Sequence, residues 1–547
     1  MTFLDRLDWH HPTLMRSDAA FRPWLILITI VLVNICAAQS GFSMILTDSS
    51  IQGSLAVGDF KNMWLSLCYF LFLAVTVPIA NWLAQAKGYK KIFLIGSALF
   101  FIFSYFCGLT TNYWWMFFYR VVSAVGGGMI FPTSLTLITG AFPKKRVTLA
   151  VAIYVAATFG LGYFLGVMSG GYFGEFYTWK FTFTVVMILA PFTLIPIVFF
   201  IDETERQDTG PFDLLGTVLY LLFVGSIVAW LGNVKAPWIT EGFRSAFSLI
   251  SLSLFVCSGI GFILWENRCR FPLFKLSLFK VRPFVLSNLA LFAVGSTFFS
   301  TTSMLTLIFE ENLYYSKYAS AILQLPLGVC VGIFGAISGL LSQKVGIRPL
   351  ALLGMALTGI SCFTTHSITI QSDHIQYFWV QVIRGTGIGL SLGPLTALAL
   401  KRIMKEDIGQ AAVIVTLFRQ LGGAVGTIFI EFIEQMRFPF HFARFGEQIV
   451  ANSPAFLKTM QEKGNFFVEN GGAIPNAAPY PPLGGMEESS SLSFAGLVNN
   501  VATQAKILAI NDAYYLIGWF VLILLVIIAF FMTRAYLITH FKKKRRI

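Results

Sequence analysis

Fourteen long apolar stretches, each about the length of a bilayer-spanning helix and parted by polar loops, constrain this chain more than any other feature. A helix needs about 20 apolar residues to cross the hydrocarbon core. The stretches cover 23–45, 62–82, 91–110, 113–138, 147–171, 179–201, 212–233 and 244–266, then 283–309, 318–342, 348–367, 375–401, 411–436 and 511–538. Helix is the expected structure for each, because a lone strand would leave its backbone unbonded in lipid. The fold class that follows is an all-α membrane protein with 14 transmembrane helices. Only 12% of residues are charged, against 56% hydrophobic, and a soluble domain normally carries about twice that charge.

The net charge of +13 would suggest nucleic acid in a soluble protein. Here it reads as the Lys and Arg excess of cytoplasmic loops, and no nucleic-acid partner is expected. With both termini placed inside, most of the basic residues fall on the cytoplasmic side, notably Lys87, Lys90 and Lys91, Lys144 to Arg146, Arg268 to Arg282, and Lys542 to Arg546. The first apolar run is too long for a cleaved signal and is expected to stay as an anchor. The seven cysteines make no CxxC pair or metal spacing, so neither a disulfide framework nor a metal site is expected.

The chain divides into a cytoplasmic N-terminus (1–22), a six-helix bundle (23–201), two inserted helices with their loops (202–282), helices 9–13 (283–436), a long outer loop (437–510), and helix 14 with a basic tail (511–547). The two halves echo each other. A shift of 258 residues superposes Leu83, Gln85, Gly88 and Lys90 on Leu341, Gln343, Gly346 and Arg348, giving L-x-Q-x-x-G-x-[KR] in the loops after helices 2 and 10. The glycine suits a tight turn. A weaker echo sets Arg120, Gly126 to Gly128 and Pro132 of helix 4 beside Arg384, Gly385, Gly387, Gly389 and Pro394 of helix 12. Duplicated halves with sites near the midplane are a transporter signature.

These features resemble the major facilitator superfamily, and more narrowly its 14-span drug:H+ antiporters of the EmrB/QacA type. The loop motif G-x-L-x-D-R-x-G-R-K-x-x-L is matched in part by residues 81–93, with Gln85 at the acidic position. Arg120 matches the arginine of the helix-4 pattern R-x-x-Q-G. Gly166, Gly170 and Gly171 match the antiporter motif G-P-x-x-G-G, with Val167 at its proline. Phe274 to Phe279 and Arg419 to Gly426 match further stretches, while Ser40 stands where the family carries an acid in helix 1. The resemblance implies a major-facilitator fold: two six-helix bundles plus two inserted helices. It implies proton-coupled export of amphiphilic drugs across a bacterial inner membrane by alternating access, without a cofactor. A periplasmic membrane-fusion adaptor and an outer-membrane channel are the partners such systems use.

Ionisable residues inside membrane helices are costly and mark function by default. Arg120, Arg384 and Arg419 are the candidates for lining a substrate cavity, the alternative role being bonds to helix-end carbonyls. Glu310, Glu311, Glu431 and Asp512 are the candidates for proton coupling, with Asp48 placed just past helix 1. Gln85, Gly88 and Lys90 form the candidate gating loop. Gly162, Gly166 and Gly170, four apart on one helix face beside Gly171, are expected at the packing seam between halves, where small residues let helices approach. No G-x-x-x-x-G-K-[ST] loop or HExxH motif occurs, so neither ATP drive nor metalloenzyme chemistry is expected. Two other functions fit the same residues: transport of a specific anionic metabolite such as a carboxylate siderophore, suggested by the buried arginines and Ser40, and a non-transporting membrane sensor.

Overall fold

The computed structural model describes residues 21–204, 206, 210–232, 245–369, 372–448 and 486–544. Thirteen of its helices are long and apolar enough to cross a membrane, and a shorter apolar helix completes the fourteen. They are α1 (Arg22–Leu55), α2 (Asp59–Lys87), α3 (Tyr89–Leu109), α4 (Tyr113–Ala141), α5 (Val147–Phe176), α6 (Lys180–Phe200) and α7 (Leu214–Gly232). The rest are α8 (Ala246–Glu266), α9 (Arg282–Asn312), α10 (Lys317–Leu341), α11 (Ile347–His366), α12 (His374–Leu400), α13 (Ile408–Gln448) and α14 (Met486–Lys544). The protein is a multi-pass integral membrane protein.

The packing repeats. In the first half, α1 packs on α5, α3 on α4, α2 on α4 and α3 on α6; in the second, α9 packs on α13, α11 on α12, α10 on α12 and α11 on α14. Each pair of the first set corresponds to a pair of the second, so the echo seen in two loops extends through both bundles. The inserted α7 and α8 pack on each other, and α7 docks on α2, where the Tyr220 hydroxyl donates to the Ala74 carbonyl at 3.2 Å. Gly88 and Gly346 both take positive φ, 105° and 97°, which is the backbone reason for glycine in each loop.

Several helices outrun the apolar stretches that announce them. Helix α1 continues to Leu55, so Asp48, expected just beyond it, lies within it. Helix α14 begins at Met486, so Asp512 lies deep inside a helix it was expected to open. At about 1.5 Å per residue, the 41 residues of α13 and 59 of α14 far exceed a hydrocarbon core about 30 Å thick. Asp512 bonds there to Arg437 Nε at 2.7 Å and His441 Nε2 at 2.8 Å, tying the two extensions together. The middle of the long loop, residues 449–485, lies outside the described residues, as do residues 1–20 and the last basic residues of the tail. Below, the end of the bundle with the loops after α2 and α10 is called the basic face, and the opposite end the far face.

Candidate functional site

The two halves meet along α5, which packs on α10 and α12. Small residues set the approach. A side chain on Gly160 would strike the backbone of Gly332, and one on Gly171 would strike Ala321; nearer the basic face, Gly339 and Gly393 press on Ala152. Gly162, Gly166 and Gly170 do share one face, as their spacing requires, but that face meets Ala38, Gln39, Phe42 and Ser43 of α1. The expectation that they form the seam between halves is therefore corrected: they hold α5 to its own bundle, and Gly160 and Gly171 make the seam. A π-helical turn, Ala157–Leu161, interrupts α5 at Gly160, and such turns favour functional positions.

The middle of the seam is filled by aromatic rings from three helices. Phe42 of α1 stands 5.0 Å from Tyr163, 5.4 Å from Phe298 and 5.6 Å from Phe299, and Phe159 stands 6.1 Å from Phe298. Phe159 and Tyr163 belong to α5 and the other pair to α9, so the cluster joins both bundles. Arg419 of α13 enters it: its guanidinium lies 4.4 Å over the Phe159 ring. Beside it the Tyr154 hydroxyl donates to Asn34 Oδ1 at 3.1 Å, and Asn34 Nδ2 donates to Ser134 Oγ at 2.7 Å. On the far side of the rings, Gln39 Nε2 donates to Ser169 Oγ at 2.8 Å and Gln324 Nε2 to Thr306 Oγ1 at 3.0 Å.

The other two arginines are buried inside their own bundles and do not face each other. Arg120, 2% exposed, lies 4.3 Å over the Tyr69 ring and 5.6 Å from Phe183, with Nη2 2.7 Å from Met44 Sδ. Asp48 is within electrostatic reach of it. Arg384, 0% exposed, donates from Nε to Ser361 Oγ and from Nη2 to the Ser361 carbonyl, both at 3.3 Å, and also to the Thr365 hydroxyl.

At the far face a charged cluster bridges the halves. Glu310 and Glu311 sit in a π-helical turn, Ile308–Asn312, that ends α9. Lys317 opens α10; its backbone N–H donates to Glu175 Oε2 of α5 at 3.0 Å, and its ammonium reaches Ser50 of α1. Glu310, Glu175 and Asp48 all lie within electrostatic reach of that ammonium. Asp48 also accepts from Asn62 Nδ2 of α2 at 2.8 Å, and Glu311 pairs with Lys506 of α14 at 3.3 Å. Glu431 is half-buried on α13. Sequence reading passed over Lys317, Glu175, Asn62, Asn34 and Tyr154; for Asn34 the available signal was a polar side chain inside an apolar run.

At the basic face, the loop after α2 is held from both sides. Glu203 Oε1 accepts from the Lys90 backbone N–H at 3.1 Å and fills the space beside Gly88, while Lys90 Nζ donates to the Val198 carbonyl at 2.8 Å. Across the seam, Gly409 at the start of α13 abuts Asn81, Gln85 and Tyr89. Gln85 therefore lies beside the other half.

Comparison with known proteins matches residues 28–427 to a family described as the Major Facilitator Superfamily. The multidrug export protein EmrB of Escherichia coli (strain K12) is 23% identical over 513 residues, 92% of this chain and 95% of that protein. The fatty acid resistance protein FarB of Neisseria gonorrhoeae is 24% identical, across 87% of this chain and 89% of its own. Among solved structures, the proton:xylose symporter XylE has the same fold, with a TM-score of 0.53 at 13% identity over 90% of this chain and 95% of that one.

Proposed function

This chain belongs to the Major Facilitator Superfamily, a family of transporters rather than enzymes, and from that premise we propose that it exports amphiphilic small molecules across the inner membrane in exchange for protons. The basic face is cytoplasmic in this reading, with both termini inside, since short basic loops orient membrane proteins. Two bundles rock about the midplane, opening the far face as the basic face closes and the reverse.

The observation that carries the reading is the far-face cluster. Asp48 and Glu175 belong to one half, Glu310 and Lys317 to the other, so charge holds the seam shut at that end. Adding a proton to one of the carboxylates weakens its attraction to Lys317 and lets the halves part. Among the described residues, the titratable groups at this seam include Asp48, Glu175, Glu310, Glu311, Lys317, Lys506 and, deeper, Arg120. Asp48 and Glu310 are the proton carriers in this scheme. Asp512 instead pins the two long helices together. Those extensions of α13 and α14 form the surface that a periplasmic adaptor would grip, with an outer-membrane channel beyond.

The test is proton movement in liposomes holding the purified protein under an imposed pH gradient. Amphiphilic dyes are expected to stimulate flux, and D48N with E310Q together to abolish it while the protein still binds the dye. Dye-stimulated flux that survives both substitutions removes these carboxylates from the coupling. Dye movement with no proton flux at all removes antiport.

A further inference from the structure

The three buried arginines differ in how their charge is met. Arg384 is bonded to hydroxyls and a carbonyl of its own bundle, and Arg120 lies against Met44 and the Tyr69 ring with Asp48 within electrostatic reach. Arg419 is as deeply buried, at 2% exposure, but among the described residues it makes no ion pair and no hydrogen bond. Its Nε, like that of Arg120, is sealed from solvent without a partner, but Arg120 still donates from Nη2 to Met44 Sδ. Its guanidinium lies over the Phe159 ring, which belongs to the other bundle. A cation over a ring gains roughly 0.5–2 kcal/mol, whereas a buried, unpaired charge costs several kcal/mol. The ring alone does not account for the placement. In the rocking motion proposed above, that ring would move away with the other bundle.

Arg419 lies eleven residues into α13, which starts at Ile408. At about 1.5 Å per residue that is close to the midplane of a hydrocarbon core about 30 Å thick. Next to its guanidinium is the ring cluster Phe42, Phe159, Tyr163, Phe298 and Phe299, packed on itself in this structure; once the halves part, it would offer a wall suited to an acyl or aromatic body. A cation without a counter-charge beside an apolar wall is the complement of one class of molecule. We infer that the exported amphiphile is an anion, its carboxylate or other acidic head paired with Arg419 and its apolar body lying on the rings. This rests on the export reading above and narrows its substrate. The Tyr154 hydroxyl, within electrostatic reach of Arg419, is placed to donate a second bond to the head once it turns from Asn34.

The test uses the whole protein in nanodiscs of phosphatidylcholine, with 11-(dansylamino)undecanoic acid and its methyl ester as fluorescent probes. The acid is expected to bind about tenfold more tightly than the ester. R419Q is expected to equalise the two, and R419K to recover part of the preference, which a merely structural arginine would not do. Equal binding of acid and ester by the unsubstituted protein, or a preference unchanged in R419Q, overturns the inference. R419Q that fails to fold leaves R419K and the unsubstituted acid-to-ester ratio to decide it. Adding phosphatidylglycerol separates the two sources of an anionic head: competitive loss of the acid at a few mole per cent makes the ligand a bilayer lipid and overturns export of the anion. In liposomes, proton flux evoked equally by ester and acid keeps the transporter and removes the charge selection. Acid-selective binding with no flux from either probe keeps the site and removes proton-coupled export.

Discussion

Arg120 and Arg384 occupy the same place in the two bundles and meet different company there. Each lies on the fourth helix of its half, next to a ring from the sixth: Phe183 of α6 for Arg120, Tyr514 of α14 for Arg384. Around that shared position, the second half supplies the Ser361 hydroxyl and carbonyl, Thr365 and Gln381. The first half supplies a thioether, two rings and the distant charge of Asp48. The repeated framework fixes where a buried cation goes; the local side chains decide whether it is a structural tie or part of a charged network. By that measure the second half holds a locked arginine and the first half one held over rings, with a carboxylate within electrostatic reach.

The largest expected effect comes from unlocking the locked one. Arg384→Ala leaves the groups of Ser361, Thr365 and Gln381 without their donor and opens a cavity, a loss of about 2–4 kcal/mol. A sharp fall in the detergent unfolding temperature checks this, and an unchanged temperature breaks the comparison from the second-half side. Arg120→Ala is expected to cost less stability, about 1–2 kcal/mol, but to change the pH profile of transport because Asp48 loses one of its two cations, Lys317 being the other. A normal pH profile in that variant would make Arg120 as structural as Arg384. Thr365→Val removes one bond to Arg384 and is expected to cost about 1 kcal/mol. The matched change in the first half, Tyr69→Phe, keeps the ring beneath Arg120 and is expected to fall within about 0.5 kcal/mol. Thermal scans of the two variants side by side sharpen the contrast, and equal losses would erase it.

The comparison also marks what the sequence could carry. Fourteen spans were legible because each must be apolar for its whole passage through lipid, and the repeat was legible because a turn at Gly88 and Gly346 requires positive φ. Helix ends were not, since hydropathy stops at polar residues while the backbone continues past the lipid. That is how Asp48 and Asp512 came to lie inside helices. The depth of the three arginines could be read from their positions in the runs. Their partners could not, because these depend on how neighbouring helices are rotated. The same limit applies to α5: a four-residue glycine spacing defines a face, but only packing shows that the face of Gly162, Gly166 and Gly170 meets α1 while Gly160 meets α10. Lys317 gave no signal in the sequence, being one lysine at a helix start; across the seam it faces carboxylates from both halves.

The central claim is that the far face opens when the carboxylates around Lys317 take up protons. Spin labels at Thr111 and Ser367, both exposed at that face on opposite halves, measure the opening directly by their separation. In nanodiscs the account predicts two distance populations, with the longer one growing as the pH falls and losing that pH response in D48N with E310Q. A single distance unmoved by pH, or a shift that persists in the doubly substituted protein, would contradict it.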